Sequence, residues 1–489
     1  MLFNSVAFAV FCPLVIIIYF ILEKEPGRHK AANFWLLVSS YFFYMCADVR
    51  FGLLLFFVTL ITFFAGKLCG IKEHNVKGAV GNLRRAALIC AVAVNISVLF
   101  FFKYFNLLNE LINSDSALKI VLPVGISFYI FQSLTYVIDT YNGKQKPEHD
   151  FLKYALFVSF FPVILAGPIE RSVNLLPQFD ERHCFDYERI RHALIRMAYG
   201  YFLKIVIAQR LAIAVDLIYD NFYDVNGFQL LLATVLYAFQ IYCDFASYSS
   251  IAVGVGELMG FKLTENFRQP FFARSCAELR RRWHISLNDW FRNYIYFPLG
   301  GRRKGVIRKY FNIMTVFTLS GMWHGAALHY VIWGMLSGAF QVMGDILRPL
   351  REKCTGILPV HNGFTRRCRV ILQVLITFML FVTSLFFFRA ESAGAAVYIL
   401  KKVLTDINIA GIMATPLSGL GLGVFNLLYL IAAMVLMIVY DTVNEKTGDA
   451  ASAIAKCPAA LRWGIYYTVV IMLIGSAGLG AKQFIYFEF

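Results

Sequence analysis

Val370-Ile371-Leu372-Gln373-Val374-Leu375-Ile376-Thr377-Phe378-Met379-Leu380-Phe381-Val382-Thr383-Ser384-Leu385-Phe386-Phe387-Phe388 contains no charged side chain. Phe51–Gly66, Ala86–Phe102 and Leu427–Tyr440 are uncharged in the same way. Crossing the hydrocarbon of a bilayer takes about 20 mostly apolar residues, and fewer where the bilayer is thinned. A helix satisfies its own backbone there, where no water is available to do so. Counted on that basis, the chain holds roughly eleven or twelve spanning segments. The expected fold is all-α: a polytopic integral membrane protein with interfacial and re-entrant helices between its spans.

The composition agrees. Of 489 residues, 59% are hydrophobic and only 16% are charged, against about 25% charged in soluble domains. The first 22 residues precede the first cation, Lys24, and lack a small-x-small cleavage site, so they read as a retained first span. The net charge of +16 sits mainly in loops, which fits positive-inside topology and not a nucleic-acid surface. Lys24, Arg28 and Lys30 mark one cytoplasmic loop, and Lys67, Lys72, Lys77, Arg84 and Arg85 another. The N-terminus and the Asp48-Val49-Arg50 turn are then expected outside. Ten scattered cysteines without Cys-x-x-Cys give neither a disulfide framework nor a thiolate metal site. With no linker or repeat, residues 1–489 read as one membrane domain. The absence of a Walker sequence removes support for ATP-driven transport.

Chemistry concentrates at two Trp-His pairs, Trp283-His284 and Trp323-His324. The first lies in the basic, aromatic stretch 262–310, which from Ser275 suits an amphipathic helix in the membrane interface. That stretch closes on a basic turn, Arg302-Arg303-Lys304. The second pair is at the centre of the apolar run Phe311 to Gly344. An ionisable group at membrane depth is costly and is by default a functional candidate. Desolvation keeps an imidazole neutral, the state a general base needs. Gly321 and Gly325 are expected to leave room for a substrate, Trp323 to form a wall, and Ser320, one turn earlier, to orient the ring. The alternative is a histidine merely hydrogen-bonded between helices. On a continuous helix His329 falls about 140° from His324, and His29, His74, His149, His183, His192 and His361 read as solvated. Asp244, in an apolar run, either bonds a neighbouring helix or lines the reaction chamber. Arg281, Arg282, Asn288, Arg302 and Arg303 complete the substrate-binding candidates. No H-x-x-x-H or H-E-x-x-H spacing supports a metal.

At these pairs the chain resembles the membrane-bound O-acyltransferase (MBOAT) family, in the branch of the alginate O-acetyltransferase membrane subunit. The likeness runs through Leu122-Pro123-Val124-Gly125-Ile126-Ser127-Phe128-Tyr129, Phe161-Pro162-Val163 with Ala166-Gly167-Pro168-Ile169, and Tyr242-Cys243-Asp244-Phe245. It continues through Asn266-Phe267, Arg281-Arg282-Trp283-His284-Ile285-Ser286-Leu287, Trp323-His324-Gly325 and Phe388-Arg389-Ala390. The resemblance implies the family's fold, a ring of helices around a thin centre, with His324 as the catalytic histidine and His284 as the second, near donor entry. It implies acetyl-CoA as a cytoplasmic donor that does not stay bound. It further implies an extracytoplasmic SGNH-hydrolase-like acetyltransferase as partner, a cell-surface polysaccharide as final acceptor, and a bacterial inner or plasma membrane as the setting. Two positions depart from the family's usual pattern: Ser250 stands where an acidic residue is common, and Leu279-Arg280 replaces Phe-Trp.

The chain ends Phe484-Ile485-Tyr486-Phe487-Glu488-Phe489. This looks like the Phe-x-Tyr-x-x-Phe tail of the small partner in teichoic-acid D-alanylation, where the tyrosine carries the acyl group. A phenol, with pKa about 10, ionises far more readily than a sugar hydroxyl, and its ester keeps transfer potential. The alternative is an aromatic interfacial anchor. As a carrier Tyr486 has to lie outside, so both termini are expected to be extracytoplasmic. Two other functions remain open on sequence grounds: transfer of D-alanyl or another acyl group, and transport of a lipid-linked glycan without acyl transfer.

Overall fold

A helix in hydrocarbon turns its apolar stripe outward and keeps its contacts with neighbouring helices on the other face. The first helix of the computed structural model, α1 (Val6–Lys24), shows this directly. Val6, Val10, Leu14, Ile17 and Ile21 are exposed at three- and four-residue spacing, while Phe8, Phe11, Val15, Tyr19 and Glu23 are buried. The Ser5 hydroxyl caps it, accepting the Phe8 amide N–H at 3.2 Å. The structure describes residues 1–25, 27–71, 78–111, 120–350, 363–407 and 421–476. Among these, all regular structure is helical.

The elements that follow are α2 (His29–Met45), α3 (Val49–Cys69), α4 (Ala79–Leu111), α5 (Ile126–Tyr141), α6 (Phe151–Ser159), α7 (Ser172–Leu175), α8 (Tyr187–Tyr201), α9 (Gln209–Asp220) and α10 (Gly227–Met259). Two short helices, α11 (Cys276–Arg282) and α12 (Ile285–Phe291), precede α13 (Val306–His324) and α14 (Leu328–Ile346). The last are α15 (Gly363–Arg389), α16 (Ala393–Thr405), α17 (Val424–Thr447), α18 (Ala450–Ala455) and α19 (Ala459–Ile474). Six of the described helices, α1, α3, α4, α10, α15 and α17, are long and apolar enough to cross a membrane. The other apolar helices among the described residues are shorter or less apolar. The protein is a multi-pass membrane protein.

Two compact units divide the described residues, Met1–Gly200 with Tyr248–Glu265, and Tyr201–Ser247 with the described residues of 266–476. In the first, α3 packs on α4 and α5, and α2 on α1 and α6. Gly66 allows the close approach of Tyr136, and the Tyr154 hydroxyl donates to Thr62 Oγ1 at 2.8 Å. Its histidines correct the expectation of solvated rings. His29 meets Glu23 at 2.6 Å, His192 meets Glu257 at 2.5 Å, and buried His183 packs on Phe261 with Nε2 3.0 Å from the Gln178 carbonyl. Glu23 of α1 and Glu257 of α10 supply the carboxylates that meet His29 and His192. His149 is exposed as read; His74 and His361 lie outside the described residues.

In the second unit, the run Phe311 to Gly344 is not one helix. It breaks at Gly325–Ala327 into the antiparallel pair α13 and α14. A Cβ on Gly321 would strike the Tyr330 carbonyl, one on Gly325 the Tyr330 ring, and one on Gly334 the Phe317 carbonyl. The space beside His324 left by its flanking glycines is thus filled by α14, not kept open for a substrate as the sequence suggested. Close backbone approach is the physical use of small residues between membrane helices. His329 belongs to α14, with Nδ1 2.9 Å from the Phe387 carbonyl, so its angle from His324 on a single helix has no meaning.

Candidate active site

The stretch after Ser275 is also not a single amphipathic helix. Ser275 caps α11 by accepting the Glu278 N–H at 3.2 Å, and Glu278 returns to accept the Arg274 N–H at 2.9 Å, close to a capping box. The helix ends where Trp283 turns extended, φ −109° and ψ +126°, and His284 then takes a left-handed conformation, φ +43° and ψ +58°. For a residue with a side chain this costs about 1–2 kcal/mol. Two asparagines hold it there. The Asn266 carbonyl accepts the Ile285 N–H at 2.9 Å and its Oδ1 accepts the Ser286 N–H at 3.2 Å. From the other side, Asn288 Nδ2 donates to the carbonyls of Trp283 at 2.7 Å, Arg280 at 3.1 Å and His284 at 3.2 Å. Strained backbone over-determined by its surroundings in this way is concentrated at functional sites.

The turn delivers the His284 imidazole to a cavity of about 100 Å³. His324, the last residue of α13, lines the same cavity with Phe317 and Ser320 of its own helix. Cys276, Leu279 and Arg280 come from α11, followed by Trp283, and Leu287 and Asn288 come from α12. Trp333, Ser337 and Phe340 of α14 and Leu380, Phe381 and Ser384 of α15 complete the lining. Trp323 touches both imidazoles edge-on, with ring centroids 5.9 Å from His284 and 4.8 Å from His324. His324 is further enclosed by Trp333 at 5.0 Å and Phe388 at 5.3 Å, and His284 by Phe245 at 4.6 Å. Burial pushes the His284 pKa from 6.5 down to about 3, so its ring is neutral at physiological pH. A neutral imidazole beside a small apolar chamber with a few polar groups is equipped to take a proton from a hydroxyl or to hold a carbonyl.

Residues 145–388, which include both histidines, match the model of the membrane-bound O-acyltransferase family. A probable alginate O-acetylase AlgI from Pseudomonas aeruginosa is 35% identical over 88% of this chain and 81% of its own length. The chain belongs to the membrane-bound O-acyltransferase family. This membrane acyltransferase is also 31% identical to a peptidoglycan O-acetyltransferase from Helicobacter pylori, over 86% of this chain and 82% of that protein. A teichoic acid D-alanyltransferase from Bacillus subtilis is 26% identical over 59% of this chain and 74% of its length.

Of the acyltransferase residues singled out in the sequence, His284, His324, Ser320 and Asn288 meet at the cavity, and Trp323 joins the two imidazoles. Asp244 is absent from the lining; it is buried and ion-paired with buried Lys204. Arg282 is committed to Glu278 at 2.8 Å and Glu445 at 2.6 Å, tying α11 to α17. Arg281, Arg302 and Arg303 are exposed and do not line the cavity. Tyr486 lies outside the described residues. The sequence reading passed over Arg280, Trp333, Ser337 and Ser384. For Arg280 a signal existed: Cys276, Leu279, Arg280 and Trp283 follow the i, i+3, i+4, i+7 spacing of one helix face. The α14 and α15 residues carry no comparable local mark.

Proposed function

We propose that this acyltransferase moves acetyl groups from cytoplasmic acetyl-CoA to an acceptor hydroxyl, for O-acetylation of a cell-surface polysaccharide through an extracytoplasmic SGNH-hydrolase-like partner. The observation that carries this reading is that two imidazoles from separate segments line one cavity and share one indole. His324 takes the proton of the attacking hydroxyl as its oxygen bonds to the thioester carbonyl carbon. The C–S bond then breaks, and the proton passes to the departing thiolate. Tyr486 is the simplest first acceptor, its phenyl ester then handed on. The O-acetylase and O-acetyltransferase names of the relatives support the acetyl group and a glycan acceptor.

The test is transfer of radiolabelled acetyl from acetyl-CoA in membranes. His324→Ala is expected to lower it about 10²–10⁴-fold, the usual worth of a positioned general base, with the protein still folded. Unchanged transfer would refute the role. Tyr486→Phe keeps the aromatic anchor and removes the acceptor, so full activity in that variant rejects the carrier step. D-alanyl transfer is the second reading, favoured by the D-alanyltransferase relative and the Phe-x-Tyr-x-x-Phe tail. Labelled D-alanyl thioester in place of labelled acetyl-CoA decides between them.

A further inference from the structure

Three consecutive arginines on α11 have three different environments. Arg282 is bonded to two carboxylates and Arg281 faces solvent. Arg280 is half-buried, lines the cavity and lies over the Phe317 ring with its guanidinium carbon 5.6 Å from the centroid. Among the described residues no carboxylate lies within ion-pair distance of it. Asp289 attracts it from farther off but is itself bonded to Arg292 at 3.0 Å. Burial, and secondarily the like charge of Arg292, hold the Arg280 pKa below the ordinary arginine range. A desolvated cation without a counterion is costly, and an incoming anion removes that cost. Phe317 and His324 share α13 seven residues apart, so the guanidinium stands about 10 Å, two helical turns, from the level of the reactive imidazole.

We propose that Arg280 is the anion-binding residue of this cavity and takes the phosphate of the phosphopantetheine arm on which a thioester donor enters. The inference rests on the thioester-donor reading above. A guanidinium lying on an aromatic face keeps its in-plane N–H fork for a ligand, and that fork matches phosphate oxygens. The acyl end of the arm is then directed along the cavity toward His324, while its phosphate stays with Arg280. Free coenzyme and a protein-borne arm present the same phosphate chemistry.

Equilibrium binding of 4′-phosphopantetheine and of pantetheine to the purified full-length protein tests the assignment. Wild type is expected to prefer the phosphorylated form by about tenfold to a hundredfold, the range for a charge-assisted contact. Arg280→Gln should erase that preference with little change in pantetheine binding, and Arg280→Lys should restore part of it. A wild type indifferent to the phosphate, or an Arg280→Gln protein that keeps the preference, overturns the proposal. Should Arg280→Gln fail to fold, Arg280→Lys decides the matter, since an undiminished preference there contradicts recognition by a guanidinium fork. Competition by CoA at comparable concentration identifies the coenzyme as the source of the arm, and exclusion of CoA a carrier protein. Loss of acetyl transfer from acetyl-CoA in wild type, with the Arg280-dependent preference intact, refutes the acetyl donor and leaves the phosphate site standing.

Discussion

Asn288 should control the aim of His284, and the structure sets the size of the effect. Its Nδ2 carries two hydrogens shared among three carbonyls, at 2.7, 3.1 and 3.2 Å, and so counts as about two hydrogen bonds. At a net 0.5–1.5 kcal/mol each, the side chain contributes about 1–3 kcal/mol. The left-handed turn it braces costs about 1–2 kcal/mol. The two figures are of similar size, so Asn288→Ala removes a stabilisation comparable to the cost of the turn and leaves His284 braced by the two Asn266 bonds alone. If the aimed state loses about 1.4 kcal/mol, transfer falls about tenfold. Asn288→Asp is the sharper probe. It is nearly isosteric, yet a carboxylate only accepts, and here it would face three carbonyl oxygens. We expect Asp to be worse than Ala in both melting temperature and acetyl-transfer rate, measured on the same purified protein. An Asp variant as active as wild type, or a stability loss with no loss of rate, would contradict the role assigned to this side chain.

The buried pair of Lys204 and Asp244, 2% and 4% exposed, gives a stability prediction. Lys204→Met strands the carboxylate and should cost about 3–5 kcal/mol in detergent unfolding, most of it recovered in the Lys204→Met/Asp244→Asn double variant; equal losses in single and double variants would exclude direct pairing. His284 gives a pH prediction. Its folded pKa of about 3 lies below its ordinary 6.5, so between these values the unfolded chain binds a proton that the folded protein does not. Its contribution therefore makes stability fall as pH drops from about 6.5 toward 3. His284→Asn, which tolerates the left-handed turn, should flatten that part of the profile in thermal melts across pH.

The uncharged runs were sufficient to establish a helical membrane protein, because the other structure that satisfies its backbone in hydrocarbon, a closed barrel, reads as short alternating strands and not as long uninterrupted apolar runs. The two Trp-His pairs likewise marked both imidazoles of the site, since an ionisable ring amid apolar residues is conspicuous in one dimension. What the sequence could not convey was which residues oppose one another. The glycines around His324 looked like an opening until the break at Gly325 folded α14 onto them. Asp244 read equally as a bond to a neighbouring helix or as part of the chamber, and only the fold showed Lys204, 40 positions earlier, as its partner. Arg280 was hidden as the first of three consecutive arginines, and only helix packing gave it the cavity, Arg282 the carboxylates and Arg281 the solvent. Composition and local pattern thus determined the solvent, the helical class and the two candidate imidazoles, which depend on each residue and its near neighbours. The partners, the cavity and the aim of each ring depend on residues far apart in the chain, and only the tertiary structure decided them.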